Sequence, residues 1–231
     1  MRQARQYAWY AMGEVALIFV GITLALAFDD WSTERNLRRQ EVAAMQDISA
    51  NLGANVDRIS ANIEGDTARL ENCRKAISVV EERSPWRSEH GEFFEGCRYW
   101  TSPYFQAAAY ESLKADGTDL VTNQALRADI VGLYEQTYAW QAGDIDREQW
   151  DFQAAVLLPV WNRYLRATRE DSAEPSDYDA LLDSGEFLNA LYNRRDLLRR
   201  SLEAQNESLD ATHRLIGDIQ EELSRLTGAT E

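Results

Sequence analysis

Apolar residues fall along this chain in two patterns, one unbroken run near the start and long alternating stripes after it. The run extends from Val15 to Phe28, and reading back through Glu14, Gly13, Met12, Ala11, Tyr10, Trp9 and Tyr7 lengthens it to residues 7–28. That length lets a helix cross a hydrocarbon layer of about 30 Å. Tyr7, Trp9 and Tyr10 at one end and Trp31 at the other suit the headgroup level on each side. An uncleaved transmembrane anchor over residues 1–31 is the expected reading. A cleaved signal peptide ending at Ala25-Leu26-Ala27 and a buried core helix are its alternatives. Within the span Glu14, Ile18, Gly21 and Ala25 share one helix face. Small residues beside a carboxyl make that face a candidate helix-packing seam, unless Glu14 only snorkels to water.

The stripes predict helices. Leu52, Val56, Ile59, Ile63, Asp66, Leu70, Cys73, Ile77 and Val80 step by four and three, which gives a helix over about 33–82, ended by Pro85. Residues 84–101 mix glycine, aromatics and charge and read as a loop pinned by Trp86, Phe93, Phe94 and Cys97. Ser102-Pro103 opens a helix over about 103–115 and Asp116-Gly117 closes it. Asn123 caps the next helix, over about 123–169 with a kink at Pro159; a short one follows at 177–183. The last spans about 185–227, its seam running Leu191, Arg195, Leu198, Leu202, Gln205, Leu209, Thr212, Ile216, Ile219, Leu223 and Leu226. The fold expected is all-α: the anchor, then residues 32–231 as a bundle of long antiparallel helices with coiled-coil-like seams. Asp66 and Arg195 interrupt the two apolar rows and form a candidate buried polar pair that sets register.

Charge narrows the partners. Lys and Arg number 24 against 39 Asp and Glu, a net −15, which disfavours nucleic acid and leaves membrane lipid at residues 7–28 and other proteins, or copies of itself, as partners. Arg2 and Arg5 precede the span and Arg35, Arg38 and Arg39 follow it, a nearly even count for orientation. The short tail, the signal-like layout and the two cysteines favour an exported body. In an oxidising compartment Cys73 and Cys97 are a candidate disulfide; otherwise they are two buried thiols.

The run from Tyr7 through Gly13-Glu14 and Gly21-Ile22 to Asp30-Trp31 resembles the anchor of a large uncharacterised family of bacterial single-span membrane proteins. Tyr110–Gly117, Leu120–Asn123, Leu126–Ile130 and Leu181–Asn189 resemble that family's central and late segments. Met12 and Asp30 depart from the family's isoleucine and asparagine. The resemblance implies an uncleaved single-pass protein of the bacterial cytoplasmic membrane with a helical body, and it carries over no activity.

Candidate chemistry is sparse. No phosphate loop, dinucleotide turn, nucleophile elbow or zinc-protease motif occurs, and no catalytic, cofactor or metal site is assigned. His90, in Glu89-His90-Gly91-Glu92, reads as a solvated loop residue, and His213 as an exposed or flanking one. Asp144, Asp146, Glu148 and Asp151 lack the glycine and terminal glutamate of a calcium loop and read as solvated helix charges. The function expected is a membrane-anchored accessory or sensor-like interaction module. The alternative is a tethered enzyme with its site in residues 86–150, among Trp86, Trp100, Tyr104, Tyr110, Trp140 and Trp150, aromatics that core packing also explains.

Overall fold

The computed structural model describes residues 2–168 and 172–228, with side chains from residue 17 onward. Its spine is α1, Arg2–Glu81, 80 residues long and therefore about 120 Å from end to end. No glycine pair or proline interrupts it. It stops where Arg83 turns left-handed at φ 52°, and the amides of Arg83 and Ser84 return to the carbonyls of Val80 and Val79. Pro85 prevents further propagation.

The segment read as a loop after Pro85 contains a helix, α2, Ser88–Arg98. His90, Phe94 and Cys97 lie at helical spacing on its buried side, and Glu89 and Arg98 complement its dipole at either end. Helix α3, Ala108–Asp116, starts later than Ser102-Pro103 suggests, because residues 101–106 run extended with their backbone captured by side chains of α1. It ends before Gly117, whose φ of 103° lies in the region that favours glycine. A single 3-10 turn, Thr118–Leu120, leads to α4, Gln124–Gly132, and Asn123 caps it by accepting from the amides of Ala125 and Leu126.

Helix α4 continues as one rod through π-helical turns at Leu133–Tyr138 and Gln141–Ile145, helix α5 (Asp146–Phe152), a third π turn at Gln153–Leu157, and helix α6 (Leu158–Tyr164). Pro159 lies in the first turn of α6, directly after that third π turn, where a missing amide hydrogen is tolerated. The rod stops at Tyr164 rather than near residue 169. Leu165–Ala167 and Ala173–Pro175 form an antiparallel hairpin, β1 and β2. This hairpin packs so closely on α2 that a Cβ at Gly91 would stand 2.3 Å from the Ala173 carbonyl oxygen. Helix α7, Tyr178–Leu182, and the long α8, Gly185–Gly228, complete an all-α bundle in which α8 runs antiparallel to α1.

The apolar interior is divided. A distal core joins Cys73, Ile77 and Val80 of α1 to Phe94 of α2, Trp161 of α6, Leu181 of α7 and Phe187 and Leu191 of α8. A proximal core, nearer the N-terminal run, joins Met45, Ile48, Leu52 and Ile59 of α1 to Leu113, Ile130, Tyr134, Leu215 and Ile219. Between them lies a belt of buried polar side chains.

Candidate functional site

The buried row of α8 explains the belt. It runs Phe187, Leu191, Arg194, Leu198, Ser201, Gln205, Ser208, Thr212, Leu215, Ile219, Glu222 and Leu226, still in steps of four and three. Half of these positions follow the apolar pattern. Arg194, Ser201, Ser208, Leu215 and Glu222 are displaced by one residue from the expected seam, so that Leu202, Leu209, Ile216 and Leu223 become half-buried flanks while four polar residues turn inward.

Asp66 is fully buried at the middle of the belt. One carboxylate oxygen accepts from the Thr101 amide at 3.0 Å, the Thr101 hydroxyl at 3.1 Å and Arg69 at 2.9 Å; the other accepts from Gln205 at 2.8 Å. The expected pairing of Asp66 with Arg195 is therefore corrected. Arg195 bonds Asp196 at 2.9 Å and lies over the Tyr192 ring, because the one-residue displacement of the seam sends its neighbour Arg194 inward instead. Arg194 is fully buried, donates to Gln149 at 2.6 Å and to Gln153, and has the Trp100 and Phe152 rings each 5.1 Å from its guanidinium carbon. Burial lowers its pKa to about 10, opposed by the negative charge of Asp66. Gln149 also donates to the Leu197 carbonyl at 2.9 Å, Ser208 to Gln141 at 2.5 Å, and Thr212 to the Ser208 carbonyl at 2.6 Å while it receives the Tyr138 hydroxyl at 2.6 Å.

Other polar residues of α1 clamp non-helical chain and the first turn of α3. Asn55 accepts from the Gln106 amide at 2.7 Å and donates to its carbonyl at 3.0 Å, pairing as a neighbouring strand would. Asn51 accepts from the Ala109 amide at 3.2 Å, and Glu41 from the Thr122 amide and hydroxyl at 2.6 and 2.7 Å.

A tyrosine stack lies beside these clamps. Tyr110 and Tyr134 stack at 4.5 Å, Tyr138 meets Tyr134 edge-on at 5.4 Å, and Phe105 covers Tyr138 at 3.9 Å. At its outer end Glu135 accepts from the Tyr110 hydroxyl at 2.9 Å and from Lys114 at 2.8 Å, and these two hydrogen bonds hold its carboxyl below the usual range. Burial, aided by Glu135, raises Tyr110 to about 12; burial raises Tyr134 and Tyr138 as well. The sequence reading missed Tyr134 and Tyr138, whose spacing of four within one helix was the available signal.

The remaining candidates separate. Cys73 and Cys97 form a disulfide, S–S 2.04 Å, with both residues fully buried. His90 is buried rather than solvated: α2 turns it inward against Trp86 and Phe93, and burial lowers its pKa. Asp146 accepts from Trp100 at 2.7 Å, Ser102 at 2.9 Å and Trp150 at 3.1 Å, and Glu148 pairs with Arg200 at 2.6 Å. Among the described residues no three His, Cys, Asp or Glu side chains are grouped to hold a metal ion. Of the aromatics of residues 86–150, Trp100 and Trp150 meet at 4.9 Å above Asp146, and the six do not converge on one site. Trp86 packs on the distal core and Tyr110 belongs to the proximal one, while Tyr104, Trp140 and Trp150 are exposed. A cleft of about 750 Å³ between α1 and α3 is lined by Ala43, Ala44, Ala50, Ala108 and Ala109, with Asp47 and Asp116 among its polar residues.

Toward its N-terminus α1 leaves the bundle. Among the described side chains the first buried one is Glu41. From Leu17 to Phe28 the large apolar side chains stand exposed on every side of the helix, Leu17 at 76% and Phe28 at 67%. Thr23, the polar residue in this stretch, returns its hydroxyl to the Phe19 carbonyl at 2.9 Å. Ile18, Gly21 and Ala25 have no neighbouring element against them, and Glu14 lies outside the described side chains. Among the described residues no helix is long and apolar enough to cross a membrane; residues 7–16 of the expected span lie outside the described side chains. Comparison with protein families, curated proteins and solved structures returned no match.

Proposed function

We propose that the chain is a single-pass membrane protein whose helical bundle works through contacts with other proteins or with copies of itself. The observation that carries this reading is the exposure of every large apolar side chain between Leu17 and Phe28 on a helix that runs without a break into the centre of the bundle. Leaving such a surface in water is costly at about 25 cal/mol per Å², and lipid removes that cost. The bond from Thr23 to Phe19 satisfies a hydroxyl that hydrocarbon cannot. Because one helix carries both anchor and core, a push or twist on the bundle reaches the span directly, which suits an accessory or sensor-like part. The buried Cys73–Cys97 bridge and the anchor motif support a body on the oxidising side of a bacterial cytoplasmic membrane.

The test is expression of the full chain followed by alkaline carbonate extraction of membranes, with protease added to intact spheroplasts. The chain is expected in the extracted pellet, with its bundle degraded from outside. An untrimmed chain in the soluble fraction overturns the anchor, and a bundle protected until lysis overturns the orientation. Mass determination in mild detergent then reads the partner directly: a lone monomer after mild cross-linking in cells counts against the interaction role.

A further inference from the structure

We propose that Trp31, Arg35, Arg38 and Arg39 form a collar that binds the headgroups of anionic phospholipid where α1 emerges from the bilayer; this rests on the anchor reading above. At about 100° per residue, Leu24, Phe28, Trp31, Arg35, Arg38 and Arg39 fall on one face of the helix. Asp29 and Asp30 fall on the opposite face, with Glu34 at the edge. One line along α1 therefore passes from aliphatic to aromatic to cationic, the order of a bilayer's hydrocarbon, interface and phosphate layers.

The side chains follow that order. Phe28 and Trp31 rings lie 5.7 Å apart, and the Arg35 guanidinium reaches back one turn to sit 5.4 Å over Trp31. Helical side chains lean toward the N-terminus, here toward the apolar segment, so the arginines are directed at the headgroup level. Trp31, Arg35 and Arg38 line a shared indentation together with Glu34. Among the described residues Arg35, Arg38 and Arg39 enter no ion pair, although most other arginines of the bundle do. All three are exposed and stand before the first buried residue, so the bundle does not use them. In a chain of net charge −15, three unpaired cations beside the apolar run match a negatively charged surface, and each contributes about a fivefold preference.

Full-length protein in mild detergent is titrated with phosphatidylglycerol, with phosphatidylcholine, or with inorganic phosphate, and bound adducts are counted by native mass spectrometry. Phosphatidylglycerol is expected to be retained over phosphatidylcholine. The variant R35Q/R38Q/R39Q is expected to lose that preference by on the order of 100-fold while its helical circular dichroism stays unchanged. Glu34→Gln is expected to strengthen it. Equal retention of both lipids, or an unchanged preference in the triple variant, overturns the collar and leaves the anchor standing. Inorganic phosphate competing as well as lipid overturns the assignment to a headgroup. A chain that stays in solution without detergent overturns the anchor and the collar together.

Discussion

The two ends of the bundle fasten the same helix by different chemistry. At the distal end α1 is held by a disulfide to α2 and by a core of Trp161, Phe94, Phe187 and aliphatic residues. At the proximal end it is held by Asn51, Asn55 and Glu41, which grip the backbone of residues 106–122, and by stacked tyrosines. Between them the belt of Asp66, Gln205, Arg194, Gln149 and Gln153 replaces apolar packing with charge and amide. The difference shows how a long helix fixes register. Apolar stripes tolerate sliding by a turn, whereas a buried carboxylate that accepts four hydrogen bonds has one satisfactory position.

The largest effect is expected from Asp66→Ala. It strips the Thr101 amide and Gln205 of their acceptor and leaves Arg194 more isolated, so stability is expected to fall by about 3–5 kcal/mol. Urea denaturation in detergent reads this, and hydrogen exchange should show lost protection at residues 101–109. A loss below about 1 kcal/mol, the typical value of one ordinary hydrogen bond, would sink the belt as the register device. Next comes C73A/C97A, expected to lower stability by about 3 kcal/mol through restored freedom of the intervening loop. Its lost protection should be confined to residues 70–98 and 157–191. If protection falls equally at residues 126–138, the two cores are one cooperative unit and the belt does not separate them.

Much of this architecture was legible in the chain. The row from Leu52 to Val80, the Asn123 cap, the Gly117 stop and the extent of α8 follow from apolar spacing and terminal residues. What was not legible in the seams has one physical cause. Seam positions were chosen by hydrophobicity, yet Arg194, Ser208 and Glu222 are buried with partners on other elements, and a one-dimensional pattern holds no partners. For the same reason Asp66 stood out as a buried carboxylate while Arg195 was named in place of Arg194. Asn51, Asn55 and Glu41 lie off the apolar row, so nothing in the pattern marked them, and a helix was expected to open at Ser102-Pro103 in the chain that α1 captures. The π turns escaped because they add a residue to a helix without changing its composition.

The smallest effect separates the two ends by pH. In the distal half His90 is held below its ordinary value of 6.5, mainly by burial, with Glu89 opposing and Arg87 assisting. Its contribution is present above that pH and is lost as the medium is acidified, because the unfolded chain then takes up a proton that the folded one resists. The stacked tyrosines of the proximal half carry the opposite sign, although Glu135 beside them, held low by Lys114 and Tyr110, adds an acid-sensitive contribution of its own. Tyr110 is raised from 10 to about 12, and Tyr134 and Tyr138 move the same way, so their contribution is complete below pH 10 and is lost as pH rises toward 12. In that window the unfolded chain gives up protons that the folded one keeps. Of the ten tyrosines, Tyr110 and Tyr134 should therefore ionise last when phenolate absorbance is followed, and Tyr138, with Tyr178 half-buried against Trp86 and Tyr192 hydrogen-bonded to Glu81 in the distal half, should also lag. Tyr134→Phe, whose buried hydroxyl bonds no carboxylate, should remove one late proton and leave acid stability unchanged, while His90→Gln should flatten the acid limb and leave the alkaline one. A single tyrosine titration centred near 10, or an acid limb that follows Tyr134, would erase the distinction between the two cores.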